Sequence, residues 1–480
     1  MNFQRKRVES RDQLTLKGIC LNGMLITALF FLNSLGFLGS LVCYVSLIVI
    51  AIYSLEGAVK AISLSAIVVI ANPYLININE VHAILRFPLI AVAGARIYWD
   101  ASHKCSVLFA RAHLRALLIF GIISLCLAFL NQYFFMISFF KLVVFIYGAY
   151  AIMLASDVSC LFESKLTNWF CALVLFYIIG NLIAYALGVG YTFQRELYEV
   201  GEKPTLGYAG MTGHPQAQGV ISAISFVYAF SVYLFTSYRL RWLMGLASLA
   251  LLILCYTSAS RTGFFAALIS IAVSVVTAFF MRRESMRKVR MNISPIQVVT
   301  IVFISVLCLI TVELITSGAI LQKLSDFSVK AIRNGSGFSF ERIYSSRIHL
   351  IEVSWHNFMQ KPLTGIGFGT MWNARWAAEA SILAAPTEKG FLPTALLEEV
   401  GILGGFFFVL FLIAFFYHYW KLRNIIALSM MTCLLLLNFG EMMFFSLGGV
   451  GLYGWSMIGA GIATGNRVLK KRSLAPPVFR

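Results

Sequence analysis

Ser345-Ser346-Arg347-Ile348-His349-Leu350, Thr364-Gly365-Ile366-Gly367-Phe368-Gly369, Glu388-Lys389-Gly390-Phe391-Leu392-Pro393 and Glu398-Glu399-Val400-Gly401 punctuate one long polar interruption, from about Leu321 to Gly404, in an otherwise apolar chain. Within it Ile348, Ile351, Trp355 and Phe358 recur at spacings of three and four, the apolar stripe of a helix. Pro362 and Gly365 stop that helix. The residues on either side are built to sit in a bilayer. The loop and two shorter polar segments, 189–215 and the turn at Arg261, therefore predict a site outside the membrane on a membrane scaffold.

The chain has 480 residues, 60% of them hydrophobic and 12% charged, with a mean hydropathy of +0.84. Runs of roughly 20 apolar residues, the length that crosses a bilayer as a helix, recur throughout. They fall near 18–36, 38–55, 59–77, 82–98, 115–132, 134–156, 168–188, 217–236, 240–258, 262–281, 296–316, 398–419, 424–439 and 441–464. The fold class expected is an all-α polytopic membrane protein of about 12–14 transmembrane helices with one long, partly helical extracytoplasmic loop. Alternating segments of about ten residues, which a β-barrel needs, are absent.

The formal charge is +18. Its basic residues cluster between apolar runs, at Arg5–Lys17, Lys104–Arg115, Tyr238–Arg241, Arg282–Arg290, Lys421–Arg423 and Arg467–Arg472. Alternating spans put all six on one side, as the cytoplasmic excess of Lys and Arg requires. That explanation leaves no call for nucleic acid as a partner. Both termini are then cytoplasmic, and the basic N-terminus is a retained first anchor rather than a cleaved signal. The expected organisation is a helix bundle over 1–316, an extracytoplasmic catalytic loop over 317–397, closing transmembrane helices over 398–464 and a basic cytoplasmic tail over 465–480. None of the nine cysteines falls in the long loop, and no Cys/His spacing suits a metal, so none is expected.

Several polar residues on the outer side are candidates for chemistry. Arg261, in Tyr256-Thr257-Ser258-Ala259-Ser260-Arg261-Thr262-Gly263, is trapped between two spans with almost no loop, so it either snorkels or binds an anion. Arg347 follows Ser345 and Ser346 at a helix start, where free N–H groups and a guanidinium together suit phosphate; alternatively it pairs with Glu341 or Glu352. His214, in Gly213-His214-Pro215, is either a ligand for sugar or phosphate or, with Thr212, a cap for the helix Pro215 begins. Arg195 and Glu196 would be supporting residues. Glu388 suits a general base, with Lys389 beside it, unless the two are a solvated pair. Glu398 and Glu399 sit at the start of the next helix, where negative charge suits the dipole. The glycine run 365–369 is a tight turn and not a nucleotide loop.

In this order the pieces resemble the bacterial O-antigen ligase and polysaccharide polymerase superfamily. The matching features are Gly213-His214-Pro215, Ser260-Arg261-Thr262-Gly263, Ser346-Arg347 with Trp355 downstream, Pro362-Leu363-Thr364-Gly365-Ile366-Gly367, and the Leu-Leu-Glu-Glu-Val-Gly-Ile-Leu-Gly-Gly stretch at 396–405. The resemblance covers roughly 205–415. It implies a glycosyltransferase at the outer face of the bacterial cytoplasmic membrane, with no nucleotide sugar, metal or other cofactor. The donor implied is a polyprenyl-diphosphate-linked glycan. The acceptor is another lipid-linked repeat unit in a polymerase, or lipid A core in a ligase. Membrane lipid and a chain-length regulator protein are the other partners implied. On the match Arg261 and Arg347 become catalytic cations for the departing diphosphate, with Glu388 in the catalytic set and His214, Arg195 and Lys389 binding substrate. The family's ligases carry a His-Asn pair before the last Glu-x-Gly helix, and here that place falls near Gly390 and Phe391. That departure tilts the reading towards a polymerase of exopolysaccharide or O-antigen. A flippase would show repeated halves and interrupted helices, and no internal symmetry is evident.

Overall fold

A computed structural model describes residues 14–73, 75, 80–105, 111–130, 135–158, 166–189, 191–192, 207–258, 260–284, 345–370, 389–446 and 448–474. In chain order its helices are α1 (Leu16–Ser34), α2 (Gly36–Tyr53), α3 (Leu55–Val69), α4 (Glu80–Cys105), α5 (Ala112–Leu130), α6 (Phe135–Val158) and α7 (Leu166–Ala186). A two-stranded antiparallel ribbon, β1 (Tyr191–Thr192) with β2 (Gly207–Tyr208), precedes α8 (Pro215–Phe235), α9 (Arg241–Thr257) and α10 (Arg261–Glu284). Then come α11 (Ser345–Gln360), α12 (Leu392–Leu422), α13 (Ile425–Leu437) and α14 (Gly449–Leu474).

Among the described residues eight helices are long and apolar enough to cross a membrane, and α9 and α13 are shorter apolar helices. The chain is an all-α polytopic membrane protein. Every expected apolar segment coincides with a helix except 296–316, which lies outside the described residues. Several differ in extent: the span expected at 59–77 ends at Val69, and the one expected at 82–98 runs on to Cys105. The span expected at 398–419 begins earlier, at Leu392, because Pro393 sits in the first turn, where a missing N–H costs nothing. The span expected at 441–464 begins only at Gly449, since the chain from Asn438 to Ser446 folds into a turn. The boundaries expected at 397/398 and 464/465 thus fall inside α12 and α14.

α8 is buried along most of its length, while α1 and α2 bury a minor share of theirs and turn large apolar side chains outward. Lipid chains are as apolar as those side chains, so packing and buried hydrogen bonds hold such helices together. The bonds are present: Tyr177 Oη donates to Gln218 Oε1 (2.5 Å), Trp169 Nε1 to Ser63 Oγ (2.9 Å), and the hydroxyls of Ser225 and Tyr453 (2.6 Å) and of Ser274 and Ser429 (2.5 Å) pair.

One helix is broken, and the break explains the glycine-rich turn. At Gly401 the backbone of α12 takes φ 62°, ψ −172°, a conformation essentially confined to glycine. The break removes ladder bonds that no water replaces inside an apolar bundle. The turn after α11 supplies them. Ile366 N donates to Glu398 O (2.7 Å) and Gly367 N to Glu399 O (3.1 Å), while Ile402 N and Leu403 N donate to the carbonyls of Pro362 (2.9 Å) and Leu363 (3.3 Å). The approach is so close that a Cβ at Gly365 would overlap the Glu399 backbone, and one at Gly401 the Leu363 carbonyl. Phe368 then plugs the turn into the core against Phe145 and Phe445, at ring distances of 5.6 and 5.1 Å.

Replacing Gly401 by Ala should therefore destabilise the protein by about 1–3 kcal/mol from backbone strain alone. It should lower the thermal unfolding midpoint in detergent. Gly405→Ala, whose Cβ would make only ordinary contacts with Leu396 and Leu397, should leave that midpoint nearly unchanged.

Candidate functional site

The site is built where the starts of α8, α10 and α12 meet. Pro215 opens α8, and His214 is its N-cap, with Nδ1 accepting from Gln216 N (3.1 Å). The choice between Thr212 and His214 as the cap falls to His214. Thr212 instead donates its hydroxyl to the carbonyls of Ala209 (2.8 Å) and His214 (3.0 Å), which holds the entry to the helix. Buried amides fix the segment from behind. Asn181 Oδ1 accepts from Met211 N (3.0 Å) and Gln218 Nε2 (2.7 Å), and Asn72 Nδ2 donates to Gly210 O (2.9 Å).

Arg261 begins α10, four residues after α9 ends at Thr257, and is half-buried. Ser260 caps the helix by accepting from Gly263 N (3.3 Å). Two contacts join this turn to its neighbours. A Cβ on Gly219 of α8 would overlap Ser260, so α8 and the α9–α10 turn touch backbone to side chain. Thr262 lies against Gly440, and Asn438 O of that same turn accepts from Leu392 N (2.8 Å), with the rings of Phe391 and Phe439 5.7 Å apart. His214, Arg261 and the 389–392 segment thus share one end of the bundle.

Beneath them lies a buried ionic group. Lys389 Nζ sits 3.1 Å from Glu398 Oε2 and 3.1 Å from Glu399 Oε1, with all three side chains nearly inaccessible to solvent. Asn357 Nδ2 of α11 donates to Glu398 Oε1 (2.7 Å), Gly369 N donates to Glu399 Oε2 (2.8 Å), and Lys141 Nζ of α6 donates to Gly369 O (3.0 Å). Burial acts to strip the Lys389 ammonium of its proton. The carboxylates of Glu399 and then Glu398 outweigh it and hold Lys389 above its ordinary value. The position of Glu398 and Glu399 is one turn further into α12 than the sequence suggested, and their partner is Lys389 rather than the helix dipole. The glycine turn is likewise committed, since its N–H groups at 366, 367 and 369 bond α12.

With this geometry in place, a family model described as O-antigen ligase matches residues 246–394. The matched stretch covers about a third of the chain. The match supports the O-antigen ligase and polymerase superfamily, whose members are glycosyltransferase-like enzymes acting on lipid-linked glycans at a membrane. No curated protein matches the chain.

The matched stretch contains Arg261, Arg347 and Lys389, whereas His214, Glu398 and Glu399 lie outside it, the two glutamates pairing with Lys389. Arg347 stands in the first turn of α11; its side chain, together with Arg195, Glu196 and Glu388, lies outside the described residues. Sequence reading passed over Lys141, taken as part of an apolar span, and Glu441, taken as the first residue of the span expected at 441–464. Among the described residues His113, Asp157 and His418 cluster as metal ligands can, at the opposite end of the bundle. Arg111 already brings positive charge there, with Nη1 2.9 Å from His418 Nε2 and Nε 3.5 Å from Asp157 Oδ2.

Lys389→Met would leave two carboxylates buried without their cation, at a cost of about 3–5 kcal/mol. The triple variant Lys389→Met, Glu398→Gln, Glu399→Gln should recover part of it, both read as thermal midpoints in detergent. Because the Lys389 value is raised on folding, the contribution of the group is complete at neutral pH. It should fade only as pH rises past the ordinary lysine range.

Proposed function

We propose that the chain polymerises polyprenyl-diphosphate-linked repeat units into a surface polysaccharide at the outer face of the bacterial cytoplasmic membrane. The observation that carries this reading is the convergence of Arg261, His214 and the 389–392 segment at one end of the bundle, within and beside the stretch that the O-antigen ligase family model matches. Basic residues Arg111, Arg115, Lys421, Arg423 and Arg467 gather at the other end, which supports placing that end in the cytoplasm. The chain has Gly390-Phe391 where the resemblance expects the ligases' His-Asn, and this favours a sugar acceptor on a second lipid-linked unit over lipid A core.

In the reaction the acceptor hydroxyl attacks the anomeric carbon and polyprenyl diphosphate leaves with the bonding electrons. The leaving oxygen gains charge as the bond breaks, so a guanidinium placed there stabilises the transition state more than the ground state. Arg261 has that role, at a helix start where the dipole adds to its charge, and Arg347 joins it from α11. His214 binds as a donor. Its Nδ1 accepts the Gln216 N–H, so the neutral ring carries its proton on Nε2. Repeated transfer gives products of many lengths, which is why a chain-length regulator belongs among the proposed partners.

The test is to incubate the reconstituted protein with lipid-linked repeat units and resolve the products by size. Higher oligomers are expected from the wild type, and Arg261→Ala or Arg347→Ala should cut their formation about 100-fold or more at normal protein level. Transfer to lipid A core with no oligomers would instead identify a ligase.

A further inference from the structure

We infer that Glu441 is the general base of this transfer, an assignment that rests on the glycosyl-transfer reading above. In the sequence Glu441 is the sole Asp, Glu, Lys, Arg or His between Arg423 and Arg467, a stretch otherwise given over to apolar helices. A carboxylate kept in such a stretch marks a functional position. The structure shows what surrounds it. The preceding residue, Gly440, lies so tightly on Thr262 that any side chain at 440 would overlap it. Glu441 thereby follows directly on the contact with Thr262, the residue after Arg261 at the start of α10.

The turn that carries it is preorganised. Asn438 is buried, and its Oδ1 accepts from Met443 N (2.8 Å) and Phe444 N (3.0 Å) while its Nδ2 donates to Leu434 O (2.6 Å). Glu441 N closes the turn on Leu437 O (2.9 Å), and Trp455 Nε1 pins the Phe444 carbonyl (2.8 Å). Met443, Phe444 and Phe445 sink into the core, and Glu441 stays half-buried at the surface of the site. A base held on a fixed backbone loses little entropy on meeting its substrate.

The other carboxylates described at this end are unsuited. Glu398 and Glu399 are buried under Lys389. Glu352 is exposed on the face of α11 opposite to its buried residues Ser354, Asn357 and Phe358. His214 is already an acceptor at Nδ1 and offers Nε2–H. In the proposed step the acceptor oxygen bonds to the anomeric carbon as its proton passes to the Glu441 carboxylate. The anomeric C–O bond to the diphosphate breaks, and its electron pair leaves with the polyprenyl diphosphate facing Arg261.

The experiment compares full-length wild type, Glu441→Gln, Glu441→Asp, Glu388→Gln and Arg261→Ala in liposomes. Two readouts are taken: polymer formed from lipid-linked repeat units over a range of pH, and binding of polyprenyl diphosphate. The expected result is that Glu441→Gln loses about 100-fold or more in turnover, binds polyprenyl diphosphate as the wild type does, and no longer loses rate on acidification. Glu441→Asp should keep part of the rate and the acidic limb. Glu441→Gln within threefold of wild type, or a loss of diphosphate binding along with turnover, would overturn the assignment. So would inactivity confined to Glu388→Gln. If the wild type itself transfers no glycan to any acceptor, the underlying reading fails instead, a result separate from all of these.

Discussion

The structure depends on a backbone discontinuity inside an apolar bundle. Gly401 breaks α12, and a broken helix away from water is tolerable only if other protein groups bond the freed amides and carbonyls. The turn at 362–369 does this on both sides of the break, and nowhere else among the described residues does a loop pair with a helix in this way. That pairing seats α11, which carries Arg347, on the membrane helices. The placement of α11 and the 362–369 turn is therefore set by the break at Gly401.

The ionic group under the turn adds direction to that seat. Apolar residues of equal volume would often pack as stably as a buried ion pair, so stability alone does not explain Lys389, Glu398 and Glu399. Their bonds run to four different segments: Asn357 on α11, Gly369 in the turn, the 389–391 segment and α12 itself. Each carboxylate has two oxygens in fixed directions, and this restricts how α11 and the turn dock in a way that a greasy contact does not.

Much of the fold was legible in the sequence because a span needs only length and apolarity. The α11 stripe, its stop before Pro362 and a cap before Pro215 were legible for equally local reasons. The break at Gly401 was not, since Gly401, Gly404 and Gly405 look alike in sequence and only a partner backbone tells them apart. Pro393 did carry a signal that α12 starts near Leu392; missing it put Glu398 and Glu399 one turn too close to the helix end and hid their pairing with Lys389. Glu441 escaped notice because, at the head of an apolar run, it reads as part of the span expected at 441–464. Asn438, which folds the start of that run into a turn against Thr262, acts through contacts that a linear pattern does not encode.

The most direct measurement is an electron cryo-microscopy structure of the protein in lipid with a non-reactive polyprenyl-diphosphate glycan bound. The account predicts diphosphate density against Arg261 at the start of α10, flanked by His214 and the 389–392 segment, with the 362–369 turn still paired to the break at Gly401. Diphosphate bound at the Arg111 end, or an Arg261 facing closed protein with no opening to lipid, would contradict it.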